Sequence, residues 1–298
     1  MSSPDEAQTQ DQLTQAQLAA IENEIKSSQP LTSQLLPISA LLNQYSDTAN
    51  NDDNINDQQQ SGFVKSAQFL STKYTSLRRV RGDGNCYYRA FLYSLCEHLL
   101  LQNSNGLSKE FSRIKATIVD SLKWVCQFGY EEMTIDMFHE ELVELFDFIE
   151  TSMNSDNGKS VETVKDELHA KLNEENATSD YCTWYLRVLT AAQMKSNPDR
   201  FLPFLLADEI NGMMDIPTFC SREVEPMGKE CGMVTVAALA ECLGVKVVIE
   251  YMDGRLSDGA AGEVVNHVFG QTNDGNGEEK DGMCLTLLYR PGHYDILY

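Results

Sequence analysis

The hydrophobic period changes once along the chain, and that change restricts the fold more than any other feature. From residue 86 to 244 apolar residues recur at three- and four-residue spacing, the mark of helices with a buried face. Tyr88, Phe91, Leu92, Leu95 and Leu99 form one stripe, and Ile114, Ile118, Leu122 and Val125 form another within 113–129. Residues 135–153 and 179–194 repeat the pattern, with Ser179 placed to cap the second of them, and 232–244 reads as a helix ending at Gly244. Beyond Gly244 the residues alternate instead. "VKVVIEYM" (245–252), "MCLTLLYR" (283–290) and "YDILY" (294–298) read as strands. "RPGH" between the last two sets Pro and Gly where a type II turn needs them, giving a hairpin-like corner. Helices followed by a block of strands predict an α+β fold, a sheet packed on helices.

The N-terminal part has a different character. Leu18, Ile21 and Ile25 make a thin apolar stripe in a polar setting, and Pro30 should stop that helix. The stripe is either a frayed leader or a partner-binding helix. Residues 46–62, "SDTANNDDNINDQQQSG", read as a linker or long loop, and 272–282, "TNDGNGEEKDG", as an exposed loop. The expected organisation is an arm over 1–45, a linker and lead-in over 46–74, and a globular domain over 75–298.

Charge and cysteine usage narrow the function. The net charge of −22 repels nucleic-acid phosphate and anionic membrane and suits a partner with a basic face. No apolar run approaches the roughly 18 residues of a spanning helix, and no basic-then-apolar leader opens the chain. A cytoplasmic monomer, present also in the nucleus, is the expectation. The eight cysteines contain no C-x-x-C pair, so no zinc site and no metal or other cofactor is expected, and the thiols should be reduced.

One cysteine stands apart. In "RVRGDGNCYYRAF" Cys86 sits at the seam between a glycine-rich turn and a helix. It is either a small buried hydrophobe at a helix start or a thiol being activated. A helix N-terminus presents unpaired amides and partial positive charge, which favour a thiolate. Gly82 and Gly84 let the preceding backbone turn its amides toward one point, as an oxyanion requires. The dipole alone falls short. Lowering a thiol from ~8.5 to ~5 takes about 5 kcal/mol, and a helix terminus supplies about 0.3 to 2. A histidine must supply most of the rest.

Five histidines compete for that role. His98 lies on the helix that Cys86 starts, about 18 Å along by the helical rise, too far to be the partner. His139 and His169 fall in Glu-rich helical stretches and read as surface or packing residues. His267 reads as a strand-edge residue with no adjacent acid. His293 follows the Pro-Gly turn, and Asp295 lies two positions on, on the same strand face. Asp295 could then hold one imidazole nitrogen and leave the other for a thiol. The alternative is a strand-end histidine satisfied by its neighbour.

At these two stretches the chain resembles the otubain branch of the ovarian-tumour-domain cysteine proteases, which are deubiquitinating enzymes. "DGNCYYRAF" (83–91) is similar to the family's nucleophile motif and "LLYRPGHYDILY" (287–298) to its histidine motif. "SDYCTWYLRVLT", "REVEPMGKE" (222–230) and "VVIEYMD" (247–253) also look like otubain segments, so the resemblance runs over roughly 20–298. It implies a papain-like fold with a small, largely antiparallel sheet between helical layers. It implies Cys86 as nucleophile, His293 as general base and then acid, and Asp295 as its orienting partner. Asp83 is implied as an active-site residue of the oxyanion loop, acting with Cys86 through backbone N–H donation.

Gly84 and Asn85, which shape that loop, are the candidate substrate contacts beside it. Leu18, Ile21 and Ile25 are candidates for a ubiquitin-binding arm. The implied reaction is hydrolysis of the isopeptide bond between the ubiquitin C-terminal glycine and a lysine, with preference for the proteasome-targeting polyubiquitin linkage. The implied partners are ubiquitin, polyubiquitin chains and ubiquitin-conjugating enzymes. The competing function is non-catalytic binding and inhibition of ubiquitin-charged conjugating enzymes. Two departures bear on this. Gly82 stands where the family carries Pro, which implies a looser loop. The stretches 46–62 and 272–282 look longer than in relatives, which leaves linkage preference open.

Overall fold

The computed structural model of the chain describes residues 20, 24–48, 57–102, 108–153, 159–207, 214–255, 264–270 and 283–298. Strand β1 (Leu36–Pro37), helices α1 (Ser39–Thr48) and α2 (Asp57–Lys73) and strand β2 (Ser76–Arg78) precede a central helix, α3 (Cys86–Gln102). Then come α4 (Lys109–Val125), α5 (Glu132–Met153), α6 (Val161–Leu172), α7 (Thr178–Ser196), α8 (Pro198–Leu206), α9 (Ile216–Phe219) and α10 (Met233–Leu243). Strands β3 (Lys246–Tyr251), β4 (Val265–Phe269), β5 (Cys284–Arg290) and β6 (His293–Leu297) complete the order.

The strands form one sheet in the order β1-β2-β6-β5-β3-β4. Every neighbouring pair is antiparallel except β3 and β5, so the sheet is mostly antiparallel, as expected. Its two faces follow the period-2 alternation. Leu285, Leu287, Tyr294 and Ile296 join the main core with α3, whereas Leu77, Leu288 and Leu297 meet Leu41 of α1 and Ala67 and Leu70 of α2. The sheet therefore lies between helical layers. The corner between β5 and β6 is the Pro291–Gly292 turn. Gly292 has φ 75°, which a type II turn demands of its third residue.

Helix α3 is buried on every side from Cys86 to Glu97. A helix enclosed all round must pair each charge it carries. Glu97 accepts from Arg78 Nη2 at 2.9 Å and from the Tyr298 hydroxyl. The same Arg78 lies over the Tyr93 ring, 4.9 Å from its centroid. This pair fastens α3 to β2 and to the strand that carries His293.

Local signals account for many helix ends. Ser108 Oγ accepts from Phe111 N at 3.1 Å and starts α4, and Ser160 does the same for Thr163 in α6. Gly244, at φ 58°, closes α10 as the sequence predicts. Ser179 does not cap α7. Ala177 holds the cap position without a side-chain bond, and Ser179 is buried in the first turn, because that end packs against the body.

The N-terminal reading needs correction. The loop expected over 46–62 is shorter, since α1 runs to Thr48 and α2 begins at Asp57. The arm boundary at residue 45 falls inside α1. Leu31 and Leu41, 1% and 0% exposed, are core residues that anchor this segment. Ile25 lies half-buried in a helical stretch over 24–28 that ends before Pro30. Leu18, Ile21 and the loop 272–282 lie outside the described residues. Among the described residues no helix is long and apolar enough to cross a membrane, and no His, Cys, Asp and Glu group is arranged to hold a metal.

Removing one member of the Arg78–Glu97 pair strands a buried charge. Glu97→Ala is expected to lower the unfolding free energy by about 3 kcal/mol in urea titration. Val119→Ala, at a 46% exposed site, should stay within ~0.5 kcal/mol of the parent.

Candidate active site

Cys86 is the first residue of α3, and the loop before it makes a sharp turn at Gly84, where φ is 76°. A Cβ on Gly84 would lie 2.1 Å from the Gly228 carbonyl oxygen, so no other residue fits. The first amides of α3 have no intrahelical acceptor and sit at the positive end of its dipole.

The peptide between Gly84 and Asn85 is held at both ends. Its N–H donates to Asp83 Oδ1 at 3.0 Å, and its carbonyl accepts from Arg187 Nη2 at 2.9 Å. The Asn85 side-chain oxygen accepts from the same Arg187 nitrogen and from Gly228 N, both at 2.9 Å. Asp83 itself is ion-paired with Arg89, which also donates to Asp180 at 2.5 Å. The loop is thus tightly held, despite the Gly at 82. A Cβ there would meet only His293, 3.6 Å from Nδ1.

The last strand brings the imidazole to this point. His293 Nε2 donates to Asp295 Oδ1 at 3.0 Å, the same-face relation that i, i+2 spacing predicts. Cys86 lies close enough to His293 to act on its imidazole. With Nε2 taken by Asp295, Nδ1 is the nitrogen left for the thiol. Asp295 is wholly buried and accepts in addition from Val80 N at 3.0 Å and from Arg290 Nη2 at 2.5 Å.

Charge follows from these partners. Burial pushes the His293 imidazole down, but the hydrogen bond to Asp295 and the influence of Asp295 and Cys86 beside it outweigh this and hold its pKa up at about 9. Burial would raise the Asp295 carboxyl. The hydrogen bond from His293 and the Arg290 guanidinium reverse this and hold it below the usual carboxylate range. Cys96, Cys182, Cys220, Cys231 and Cys242 are pushed up by burial, as inert core thiols are.

Two clefts meet at Gly82. One of about 450 Å³ is lined by Gln29, Val80, Gly82, Arg290 and His293. The other, about 520 Å³, is lined by Ile25, Asp83, Asn85, Glu175 and Met227 among others. The segment carrying Ile25 is tied to this place by Arg81, whose guanidinium donates to the Gln29 carbonyl at 2.6 Å and pairs with Glu175.

A turn-borne cysteine, a strand histidine from far along the chain beside it, and a buried aspartate bonded to that histidine are the arrangement a thiol hydrolase needs. Residues 24–298 match the family model Peptidase C65 Otubain. The chain belongs to the otubain family. This otubain is an enzyme, a cysteine peptidase. It is 36% identical over 288 residues to ubiquitin thioesterase OTUB1 of Rattus norvegicus, a match spanning 97% of this chain and 90% of that protein. It is 34% identical over 242 residues to the ovarian tumor domain-containing deubiquitinating enzyme 1 of Arabidopsis thaliana, spanning 79% of this chain and 74% of the relative. Among solved structures it is similar to a chain of the h/ceOTUB1-ubiquitin aldehyde-UBC13~Ub complex, with a TM-score of 0.76, 27% identity, and coverage of 97% and 98%.

The structure brings together the candidate residues Asp83, Gly84, Asn85, Cys86, His293 and Asp295, and sets Ile25 in the adjoining cleft. The other histidines are engaged elsewhere. His139 Nε2 lies 3.0 Å from the Ile118 carbonyl, His169 Nδ1 2.9 Å from the Tyr93 hydroxyl and His98 Nε2 2.8 Å from Gln102 Nε2, and His267 is exposed on the edge strand β4. Sequence reasoning missed Arg187 and Arg290. Their signal was available, since each is a lone charge in an apolar run, Arg187 in "WYLRVL" and Arg290 in "LTLLYR".

A histidine raised to about 9 stabilises the fold fully below its unfolded value near 6.5 and loses that stabilisation as pH rises through about 9. The unfolding free-energy gap between the parent and His293→Ala should therefore shrink, by an amount on the order of 3 kcal/mol, between pH 6.5 and 9.5. Denaturant titrations across that range read it.

Proposed function

We propose that the chain is a thiol-dependent deubiquitinase that hydrolyses the bond between the ubiquitin C-terminal glycine and a lysine. The observation that carries this reading is His293 held between Asp295 and Cys86 at the start of α3. His293 takes the Cys86 proton, and the sulfur attacks the glycine carbonyl. Backbone amides of Asp83 and Cys86 hold the oxyanion, the Asn85 amide being engaged by Asp83. Protonated His293 then gives its proton to the leaving lysine amine, and water, deprotonated by His293, releases ubiquitin from the thioester. Asp295 keeps the imidazole in the required tautomer throughout. Asp83 acts through its loop, because its carboxylate is engaged by Arg89 and Asn85 N.

A surface for the body of ubiquitin lies at the β4 edge. A groove of about 540 Å³ there is lined by Phe201, Phe204, Val234 and Val268. Phe204 and Val268 are 54% and 41% exposed, more apolar surface than an unpartnered edge needs. The net charge of −22 suits a basic C-terminal tail. Preference for the proteasome-targeting linkage rests on the N-terminal segment reaching a second ubiquitin, which the anchoring of residues 26–29 by Arg81 supports. Relatives solved in complexes with UBCH5B~Ub and UBC13~Ub support a second role, binding of ubiquitin-charged conjugating enzymes, for which inhibition is the proposed consequence. Eight free cysteines suit the reducing cytoplasm and nucleus.

Ubiquitin carrying a C-terminal electrophile should label the parent on Cys86 and leave Cys86→Ala unlabelled; an unlabelled parent, or equal labelling of the variant, ends the proposal. Gly84→Ala should lose at least ~100-fold in hydrolysis of a ubiquitin ester, since the oxyanion donors move, while Gly82→Ala stays within a few-fold. A panel of diubiquitin linkages, with and without residues 1–23, tests the linkage reading. Loss of selectivity on truncation, with ester hydrolysis intact, is the expected result. Conjugating-enzyme inhibition that survives Cys86→Ala would support the second role.

A further inference from the structure

Arg187 is 1% exposed, sits in the middle of α7, and lines neither of the two clefts that meet at Gly82. Four acceptors on two segments, 84–85 and 224–229, converge on it. The two N–H groups of Nη2 are shared among the Gly84 carbonyl at 2.9 Å, Asn85 Oδ1 at 2.9 Å and the Lys229 carbonyl at 2.8 Å. Nη1 donates to the Val224 carbonyl at 2.9 Å. The guanidinium plane stacks over Tyr88, with its carbon 4.5 Å from the ring centroid. Two of the four acceptors belong to the loop that leads into Cys86, and two belong to the segment that Gly84 abuts.

We propose that Arg187 is the positioning residue of the oxyanion hole, fixing the Gly84–Asn85 peptide so that the neighbouring amides of Asp83 and Cys86 point at the developing oxyanion. The assignment rests on the thiol-hydrolase reading above. Oxyanion donors act only within about 2.7–3.1 Å of the charge. A peptide plane gripped at its carbonyl by Arg187 and at its N–H by Asp83 cannot rotate without breaking both bonds. A buried cation behind the loop also favours the anionic intermediate over the neutral carbonyl. Lysine cannot replace it. It has three donors on one atom and no plane to stack, so four acceptors in this spread exceed its reach.

The test compares the parent with Arg187→Lys, and with Asn85→Ala, which removes one of the two loop acceptors while Arg187 keeps the Gly84, Val224 and Lys229 carbonyls. Three readouts separate positioning from folding. Acetyl-glycyl-glycinal forms a tetrahedral hemithioacetal on a thiol and reports the oxyanion hole without any ubiquitin. Iodoacetamide alkylation reports only the Cys86 nucleophile. Ubiquitin-ester hydrolysis separates kcat from KM. The expected result is a fall of about 100-fold in both kcat and aldehyde affinity, with KM and alkylation rate within about twofold. Folded variants that bind the aldehyde as tightly as the parent overturn the proposal. So does a parallel loss of alkylation, KM and thermal stability, which is the mark of a merely structural arginine. If the parent binds the aldehyde but does not hydrolyse the ubiquitin ester, the substrate reading fails and the aldehyde series still decides Arg187.

Discussion

Asp295 carries a charge at a position that water does not reach, and the arrangement of the site follows from compensating it. A buried carboxylate survives only if its lone pairs are taken up by donors in good geometry. Here the donors are the Val80 amide, the Arg290 guanidinium and the His293 imidazole. Val80 belongs to the stretch that leads into the nucleophile loop. Arg290 and His293 face each other across the β5–β6 hairpin. Arg290 extends the network to Gln44 and Tyr45 of α1, each at 3.4 Å. One ion therefore joins the start of the fold, the active-site approach and the last strand, and it fixes which imidazole nitrogen is left for sulfur.

The nucleophile side obeys the same rule with the signs exchanged. Helix α3 is enclosed over most of its length, so a cation at its start must find anions or carbonyls nearby. Arg89 takes Asp83 and Asp180. Arg187, entering from α7, takes the carbonyls and the amide oxygen of the loop and of its neighbour, Val224 to Lys229. Each cation places its terminal nitrogens on acceptors by locking a turn, while the Nε of each has no partner among the described residues. The glycine at 82 leaves the approach unrestrained by a ring, yet the loop after it is held by side chains from three segments. Preorganisation here is supplied by buried charge rather than by a stiff backbone residue.

Several elements were legible because local physics decides them. The His293–Asp295 bond needs only strand geometry, the Pro291–Gly292 corner only turn chemistry, and the end of α10 only a residue at ease at positive φ. Elements decided by packing were not. Strands β1 and β2 have two and three residues, too short to show alternation. Helix α2 is polar apart from the face that covers the sheet with Ala67 and Leu70, so its sequence resembles a linker. Ser179 carries a cap-forming side chain, but the helix begins one residue earlier, where tertiary contacts set the entry.

The sequence by itself determined the fold class, the place of Cys86 at a helix start, and the intrastrand partner of His293, since each depends on residues close together in the chain. Only the tertiary structure decided that Cys86 and His293 meet, that Arg290 neutralises Asp295, and that Arg187 grips the nucleophile loop. Those contacts join segments far apart in the chain, and they exist because a closed core forces every buried charge to find a partner wherever the packing has brought one.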